Sequence, residues 1–472
     1  MTVVSHRAAA ADRAFDAVKQ FIFNSRYGER RTDPDIADFT FGNPQEMPLA
    51  GLVAAIREGA LPRNKDWFAY KTSEEAPQAF LAEVVGRELD LRFEPPDIAL
   101  TAGAFAAISV AIRLVLDASD EAIYSEPGWF CYEPMLLAAD AVPRKVSLKK
   151  PRFDLDLDAI DAAIGPRTRL VIVNTPHNPT GRIYGREVLA ALADRLERAS
   201  NRIGRRIFLL SDEPYRRLRF DGRGFVSPAT LYPWTLISYS YGKVLLAPGQ
   251  RLGYLAISPL MPAADRQALR EAMFATQMAL GWCFPNAVMQ QAVPQLDRLS
   301  IDVQALARRR DALSEVLTKA GHAVLPPEGT FYLWVKWSSD DPERQWNALA
   351  DRGVFVMPGS IMNARDHFRI SLTASDEMVA RPAGLRPGVV RGRGGLAPSA
   401  PRRGLLASGH RHPQRRHRQQ RRDGARRRVD TVEHNADASG VSLAGGDPRR
   451  RRNRGARSGA RRRVHFPGQH RR

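Results

Sequence analysis

The strongest constraint on the fold is an alternation of short apolar runs with amphipathic helical patterns between residues 11 and 380. Helical periodicity is clearest at 104–116 and 186–199, and it separates runs that have the length and composition of strands. These runs are 98–101, 121–124, 169–174, 207–211, 235–238 and 253–258. Strands that alternate with helices form βαβ units, which build a largely parallel sheet. We therefore expect an α/β domain.

The pattern changes after residue 289. A long helical pattern covers 295–317, and strand-like runs follow at the end of this region. This order predicts a smaller α+β domain at 290–380. The strand-like runs are 331–336, 353–358 and 368–371. The full division that we predict is an N-terminal arm with part of the small domain at 1–45, a large domain at 46–289, the small domain at 290–380 and a basic tail at 381–472.

The positive charge of the chain belongs to its last part. The net charge of the 472 residues is +20. Residues 381–472 carry 26 arginines, no lysine and 5 acidic residues, a net charge of +21. The other 380 residues carry 45 basic and 46 acidic side chains, a net charge of −1. The body of the protein is therefore neutral, and its charge does not predict a nucleic-acid partner.

Residues 381–472 have the composition of a segment that does not fold. Their one Phe, Tyr or Trp side chain is Phe466, and such a segment buries too little apolar surface to offset the entropy of ordering. We predict a disordered tail. Arginine without lysine favours an out-of-frame translation of GC-rich DNA that begins near Arg381. The functional alternative is an arginine-rich arm that binds RNA.

Composition excludes several other classes. Cys131 and Cys283 lie far apart, which argues against a disulfide framework and favours a reducing, cytoplasmic compartment. No window holds eighteen consecutive apolar residues, so we expect no membrane span. Residues 1–20 lack the continuous apolar run of a secretory signal. No metal site is predicted.

One segment carries most of the chemical information. Ser240 precedes Lys243 by three positions, and Arg251 follows Lys243 by eight. A lysine that forms a Schiff base with an aldehyde needs a desolvated, cation-flanked setting that lowers the pKa of its amine. A hydroxyl and a guanidinium nearby would hold the anionic end of a phosphorylated cofactor. The alternative for this segment alone is a solvated loop.

Two motifs follow predicted strands. The run Asn174-Thr-Pro-His-Asn-Pro-Thr-Gly would form a turn that presents the amide of Asn178 to a cleft. In Ser-Asp-Glu-Pro-Tyr, Asp212 could pair with a protonated pyridine nitrogen, and Tyr215 could donate to a phenolic oxygen. The structural alternatives are an ordinary turn, a helix cap by Asp212 and a core tyrosine.

Three weaker motifs complete the pattern. Gly103 stands where a strand leads into a helix, a position that exposes backbone N–H groups to a phosphate. Trp129 could stack on a cofactor ring, although a buried core tryptophan is the common alternative. Arg369, in Phe-Arg-Ile-Ser, could bind a substrate carboxylate through two bonds, and its alternative is an exposed strand arginine.

Together the motifs resemble a known family. Asn-Pro-Thr-Gly, Asp-x-x-Tyr, Ser-x-x-Lys-x7-Arg and Arg-Ile-Ser, in this order, are similar to those of class I/II aminotransferases, which are fold-type I pyridoxal-phosphate enzymes. The resemblance covers roughly residues 35–380. It implies a seven-stranded, mostly parallel sheet in a large cofactor-binding domain. It also implies transfer of an amino group from an L-amino acid to a 2-oxo acid, with Lys243 as the Schiff-base lysine that moves a proton between the substrate Cα and the cofactor C4′.

The resemblance implies roles for the other residues as well. The ring of the cofactor would contact Asp212 at its nitrogen, Asn178 and Tyr215 at its 3′-oxygen, and Trp129 at its face. The phosphate would be held by Gly103, Ala104, Phe105, Ser240 and Arg251. Tyr70 matches a tyrosine that reaches the partner subunit's phosphate, which implies a homodimer. The substrate carboxylate would meet Gly42, Asn178 and Arg369.

The chain departs from the family after Ala380, where a helix that closes the small domain gives way to arginine-rich sequence. Losing the large side chains of that helix would cost about 2–5 kcal/mol each, so we expect low stability or weak activity. The rival enzyme functions are a carbon–sulfur lyase, a decarboxylase or a cyclopropane-forming synthase of the same fold. A rival of another class is an RNA-binding protein. Trp282 and Phe284 favour apolar or aromatic substrates.

Overall fold

The computed structural model describes residues 3–380 of the chain. Sixteen helices and twelve strands lie within this range. The helices are α1 (His6–Ala14), α2 (Asp16–Phe23), α3 (Arg26–Arg30), α4 (Ala50–Gly59), α5 (Glu75–Leu89), α6 (Ala104–Val115), α7 (Tyr132–Ala138), α8 (Leu157–Ala163), α9 (Arg186–Ile203), α10 (Tyr241–Val244), α11 (Ala263–Leu280), α12 (Ala287–Gln291), α13 (Val293–Leu296), α14 (Val303–Lys319), α15 (Pro342–Ala350) and α16 (Asp376–Ala380). The strands are β1 (Ala37–Phe39), β2 (Ile98–Thr101), β3 (Glu121–Glu126), β4 (Val142–Ser147), β5 (Thr168–Asn174), β6 (Phe208–Asp212), β7 (Thr235–Ser240), β8 (Gly253–Ile257), β9 (Ala323–Leu325), β10 (Tyr332–Lys336), β11 (Val354–Pro358) and β12 (His367–Ser371).

The larger sheet has seven strands in the order β2-β8-β7-β6-β5-β3-β4. Strands β7, β6, β5, β3 and β4 pair in parallel, and β8 is antiparallel to both β7 and β2. The predicted α/β fold with a mostly parallel sheet flanked by helices is therefore confirmed. No apolar run predicts β4, because five of its six residues at this sheet edge are exposed or partly exposed.

Helix α6 anchors the larger sheet. It packs against β6, β7 and β8, and most of its side chains are buried, including Ile108, Val110 and Ile112. Burying one such aliphatic side chain stabilises the fold by about 1.5–3 kcal/mol. The helix begins directly after β2, at Gly103, so its packing also fixes the position of its N-terminus. The core thereby sets one end of the cleft described below.

The second sheet has five strands in the order β1-β11-β12-β10-β9. Strand β1 comes from the N-terminal part of the chain and pairs in parallel with β11, whereas the other pairings are antiparallel. This sheet contains Arg369 on β12, and Trp334 on β10 lies opposite it. The domain boundaries at residues 45 and 289 remain predictions.

The long helix predicted at 295–317 is interrupted in the structure. Helix α13 ends at Leu296, and α14 begins only at Val303. The side chain of Asp302 accepts hydrogen bonds from the backbone N–H groups of Gln304 and Ala305, at 2.8 and 3.1 Å. An aspartate that caps the first N–H groups in this way starts a new helix, so the prediction of one helix is wrong at this point.

The last described element is α16, which has no buried residue. The predictions of a disordered tail, of a frame change near Arg381 and of an RNA-binding arm fall on residues 381–472, outside the described residues. Within residues 3–380, no helix has the length and apolar character needed to span a membrane.

Candidate active site

Three neighbouring strands of the larger sheet end at one edge, and each ends on a polar residue. Asn174 closes β5, Asp212 closes β6 and Ser240 closes β7. Asn174 pairs in register with Asp212, and Asp212 pairs with Ser238 on β7. Ligands of open α/β sheets bind beyond the carboxyl ends of the strands. The topology therefore brings together side chains that lie far apart in the sequence.

A cleft of about 150 Å³ opens at this edge. Its wall consists of residues from the strand ends and from the helices that follow them. The lining residues are Ala104, Phe105, Ile108, Trp129, Asn174, Asn178, Asp212, Pro214, Tyr215, Ser240, Gly242, Lys243, Pro248 and Arg251. Nine of the residues predicted from sequence thus face one cavity: Ala104, Phe105, Trp129, Asn178, Asp212, Tyr215, Ser240, Lys243 and Arg251.

Asp212 lies at the floor of the cleft and is only 4% exposed. Its Oδ2 accepts a hydrogen bond from the Tyr132 hydroxyl at 2.6 Å. Its Oδ1 is buried and has no hydrogen-bond partner within residues 3–380. Burial raises the pKa of this carboxyl to about 6, although the bond from Tyr132 and the charge of Lys243 both lower it. The carboxylate is therefore held by one oxygen and offers the other to a cationic or N–H group.

Lys243 lies in the single-turn helix α10, directly after β7. Its Nζ is 5.7 Å from the ring centre of Tyr215 and 5.9 Å from that of Phe331. Tyr215 is buried, and burial raises the pKa of its hydroxyl well above the ordinary value, so the hydroxyl stays protonated and can donate. A half-buried amine beside two aromatic rings is accessible from the cleft but partly shielded from water.

The opposite end of the cleft suits an anion. Gly103 caps the N-terminus of α6 with a φ of +80°, a backbone angle that favours glycine. A Cβ at this position would stand 3.0 Å from Nη2 of Arg251. The first N–H groups of α6, at Ala104 and Phe105, have no partner inside the helix. With the Ser240 hydroxyl, these groups form a set of donors around a positive charge.

Trp129 forms a side wall of the cleft. Its ring meets Phe105 edge-on at 4.7 Å and Tyr132 at 5.2 Å. These two perpendicular contacts hold the indole in one orientation beside Asp212. The predicted position of Trp129 next to a cofactor ring agrees with this geometry, but its stacking role remains a proposal.

Arg369 joins the second sheet to the cleft. Its guanidinium is 2% exposed, donates through Nη1 to Asn178 Oδ1 at 2.8 Å and through Nη2 to the carbonyl of Thr40 at 3.0 Å. Its Nε has no hydrogen-bond partner within the described residues. Gly42 is required nearby, since a Cβ there would stand 2.7 Å from the Tyr332 hydroxyl. The exposed-arginine alternative for Arg369 is therefore excluded.

Six predicted residues are not among those that line the cleft: Gly42, Gly103 and Arg369, whose contacts are described above, and Tyr70, Trp282 and Phe284. The last three are exposed on the surface of the chain. Tyr70 is 87% exposed, and its ring contacts Phe284 at 4.9 Å. Trp282 and Phe284 are 42% and 44% exposed, so the structure does not place them in a substrate pocket of this chain. Their predicted influence on substrate choice remains untested.

Tyr132, Asn174 and Tyr332 contact predicted site residues but were not themselves predicted as site residues from the sequence. Asn174 carried a usable signal, because it ends a predicted strand beside the strand that ends at Asp212. Tyr132 begins α7 and Tyr332 begins β10, and neither belongs to a motif with recognisable spacing. Only the tertiary structure brings Tyr132 to Asp212, and Tyr332 to Tyr215 and Arg369.

The residues present fit a phosphorylated pyridine aldehyde. The free Oδ1 of Asp212 suits a protonated ring nitrogen, and the donors at Gly103 and Arg251 suit a phosphate. Lys243 lines the same cleft as Asp212 and Arg251. The free Nε of Arg369 suits a carboxylate. This combination of groups is chemically suited to pyridoxal phosphate and an amino acid.

The comparisons with known proteins agree. The family model for "Aminotransferase class I and II" matches residues 34–383. The aspartate/prephenate aminotransferase of Thermus thermophilus is 32% identical over 356 residues, which cover 74% of this chain and 89% of that protein. The methionine aminotransferase of Escherichia coli is 28% identical over 351 residues, which cover 72% and 81% of the two chains. The crystal structure of an aminotransferase from Eubacterium rectale superposes with a TM-score of 0.73 at 28% identity and covers 82% and 98%.

The chain belongs to the class I and II aminotransferases. It is therefore an enzyme that transfers amino groups with pyridoxal phosphate as its cofactor. The sequence-based prediction of this family and activity is confirmed.

Proposed function

We propose that Lys243 binds pyridoxal phosphate covalently and carries the proton during amino transfer between an α-amino acid and a 2-oxo acid. The observation that supports this most is the shared cleft: Lys243 faces the same cavity of about 150 Å³ as Asp212, whose buried Oδ1 has no partner in residues 3–380. When bound, the cofactor supplies an aldehyde and a ring that accepts electrons from the substrate Cα.

The other residues position the reactants. Ionised Asp212 holds the ring nitrogen in its protonated form, because a carboxylate stabilises an adjacent cation. Asn178 and Tyr215 donate hydrogen bonds to the ring oxygen. Arg369 binds the substrate carboxylate and so aligns the Cα–H bond with Lys243 Nζ, which takes the proton from Cα and returns it at C4′ of the cofactor.

The phosphate end anchors the cofactor. We propose that it binds the N–H groups of Ala104 and Phe105, the Ser240 hydroxyl and the Arg251 guanidinium, with Gly103 allowing close approach. Trp129 packs on the ring face. Gly42 and Asn178 contact the substrate beside Arg369, where a larger side chain at position 42 would meet Phe331 and Tyr332.

We also propose a cytoplasmic homodimer. Several large apolar side chains are exposed, and Tyr70 contacts one of them, Phe284; exposed apolar surface favours burial against a second copy. Tyr70 would then reach the phosphate of the partner's site. The exposed side chains are Tyr70, Phe274, Met278, Trp282 and Phe284. The two free cysteines are compatible with a reducing compartment.

The covalent role of Lys243 is tested by trapping. Purified protein loaded with pyridoxal phosphate is reduced with borohydride and mapped by peptide mass spectrometry. We expect the pyridoxyl label at Lys243 in the wild type and in Lys319→Ala, a control that removes an exposed lysine of α14. Lys243→Ala should lack the label and lose at least about 100-fold in amino-transfer rate, because it lacks the proton carrier. A label at another lysine, or none, would refute the proposal.

The substrate class is tested by screening amino donors. Aspartate, methionine and aromatic amino acids are offered with 2-oxoglutarate or pyruvate, in line with the named activities of the two relatives. We expect one 2-oxo acid consumed for each one formed. Release of ammonia without an acceptor would instead indicate lyase chemistry.

A further inference from the structure

The two oxygens of the Asp212 carboxylate have different environments. Oδ2 accepts from the Tyr132 hydroxyl at 2.6 Å and faces the Asn174 amide nitrogen at 3.4 Å. The same amide nitrogen donates a shorter hydrogen bond, of 2.8 Å, to the backbone carbonyl of Asp212. The Tyr132 hydroxyl is thus the one short side-chain bond to this carboxylate within residues 3–380. It determines which oxygen is left for a ligand.

Tyr132 is well placed to hold the carboxylate still. It is the first residue of α7 and is 2% exposed. Burial and the adjacent Asp212 raise the pKa of its hydroxyl well above the ordinary value, so this hydroxyl remains a donor at neutral pH. Its ring meets Trp129 at 5.2 Å with an interplanar angle of 86°. One side chain therefore contacts both the carboxylate and the aromatic wall of the cleft.

The charged groups around Asp212 do not replace this contact. The Ser238 hydroxyl and the charge of Lys243 also lower the pKa of Asp212, whereas Glu213 raises it. Ser238 Oγ nevertheless makes no hydrogen bond of normal geometry within the described residues, so only Tyr132 holds the carboxylate by a short bond. Glu213 is itself buried and is neutralised by Arg216 rather than by a group facing Asp212. The remaining titratable neighbours of this cluster, Tyr215 and Cys131, are buried and neutral.

We propose that Tyr132 is a positioning residue: its hydroxyl orients the Asp212 carboxylate and keeps it ionised, so that Oδ1 meets the cofactor ring nitrogen. The inference rests on the proposed function, in which Asp212 binds that nitrogen. Tyr132 itself touches neither cofactor nor substrate. Its effect passes through Asp212, which distinguishes it from the residues assigned above.

The test is Tyr132→Phe, which deletes the hydroxyl and keeps the ring contact with Trp129. The dissociation constant for pyridoxal phosphate is measured by fluorescence titration of cofactor-free protein from pH 6 to pH 8.5. We expect binding to weaken about tenfold to a hundredfold, because a hydrogen bond to a charged group is lost. Without the donor the pKa of Asp212 rises, so the lower pH limit of tight binding should move upward by about one unit.

Two further variants separate positioning from packing. Tyr184→Phe is the matched control, since the Tyr184 hydroxyl is buried but has no hydrogen-bond partner in the described residues. It should bind the cofactor as the wild type does. In an Asp212→Asn background, Tyr132→Phe should change the dissociation constant less than about twofold, because two residues that act through one contact are not additive.

The outcomes distinguish this inference from the proposed function. If the wild type does not bind pyridoxal phosphate, the proposed function fails. If the wild type binds and Tyr132→Phe has the same affinity and pH profile, the positioning role fails alone. A loss of affinity that is equal at every pH and persists in the Asp212→Asn background would show that Tyr132 only packs, which also overturns the inference.

Discussion

At the scale of single residues, the site contains buried polar atoms that have no hydrogen-bond partner among the described residues. Oδ1 of Asp212 and Nε of Arg369 are both buried and without a hydrogen-bond partner in residues 3–380. Leaving such a group unpaired costs about 1–3 kcal/mol, and more when the group is charged. A ligand that pairs with them removes this cost. If these atoms bind the cofactor and substrate as we propose, the cofactor-free protein is less stable because they are unpaired, and binding recovers that free energy.

Asp212→Asn should stabilise the cofactor-free protein and weaken its binding of the cofactor. The folded pKa of Asp212 is about 6, above its ordinary value of 3.8. A raised pKa favours the folded state below pH 3.8, and that contribution disappears as the pH rises through 6. At pH 8 the ionised carboxylate therefore destabilises the empty protein, and Asn should raise its free energy of unfolding by up to about 3 kcal/mol.

Urea denaturation of cofactor-free protein at pH 8 measures this change, and cofactor titration should show weaker binding by the same variant. Asp194→Asn, at an exposed position of α9, is the control and should alter neither quantity. Equal stability of wild type and Asp212→Asn across pH 4–8 would contradict the raised pKa.

At the scale of elements, the turn after β5 positions Asn178, which we propose contacts both cofactor and substrate. Its backbone is closed by bonds from His177 N–H to the Arg182 carbonyl at 2.8 Å and from Gly181 N–H to the His177 carbonyl at 2.7 Å. The N–H of Asn178 donates to the Asn174 side chain at 2.7 Å. These bonds fix the Asn178 amide where it accepts from Arg369.

The imidazole of His177, in this turn, makes the stability of the protein depend on acid pH. His177 is buried, contacts the Thr180 hydroxyl at 2.8 Å, and has a pKa that burial lowers to about 3. Its contribution to stability is complete above pH 6.5 and is lost as the pH falls towards 3, because the unfolded state binds the proton first. The loss should approach about 1.4 kcal/mol for each pH unit below 6.5.

His177→Gln removes the titrating group. Between pH 6.5 and pH 4.5, its unfolding free energy should fall less steeply with falling pH than that of the wild type. The difference between the two slopes should correspond to about one bound proton. His6→Gln, at an exposed position, should keep the wild-type slope. Identical slopes for wild type and His177→Gln would show that the imidazole is not held neutral.

At the scale of the whole molecule, the two sheets meet around the cleft through polar contacts. Arg369 of the second sheet bonds Asn178, and Glu328, just before β10, pairs with Arg182 beyond the turn. Glu328 also accepts from the Ile183 N–H at 2.8 Å. These contacts link Arg369, the residue that we propose binds the substrate carboxylate, to the sheet that precedes Lys243.

Glu328→Gln should weaken this junction. Arg182 and Glu328 are about 10% and 9% exposed, and breaking a buried ion pair costs about 3–5 kcal/mol. Since Asp154 still pairs with Arg182 in this variant, we expect a loss of stability at the lower end of that range.

Thermal unfolding measures this loss of stability. The KM for the amino acid should also rise, because Arg369 is less firmly placed. Glu315→Gln, in an exposed pair with Lys319, should leave both unchanged; a Glu328→Gln protein as stable as that control would contradict the assigned role.

Part of this architecture can be predicted from the sequence. The order of strands and helices follows from apolar runs and helical periodicity, which are local properties, and Asp212, Ser240 and Asn178 were found because they follow such runs. The interruption before α14 was missed, because one capping aspartate outweighed a helical pattern that extends over both sides. Strand β4 was missed because an exposed edge needs no apolar run.

The sequence by itself determined the family, the strand order along the chain and the chemical groups at the strand ends, since these depend on residue type and spacing. The tertiary structure alone decided which groups meet. Tyr132 lies 80 residues from Asp212, and Arg369 lies 191 residues from Asn178, yet both pairs are hydrogen bonded. Such contacts depend on how helices and sheets pack, and packing is a property of the whole fold rather than of any local pattern.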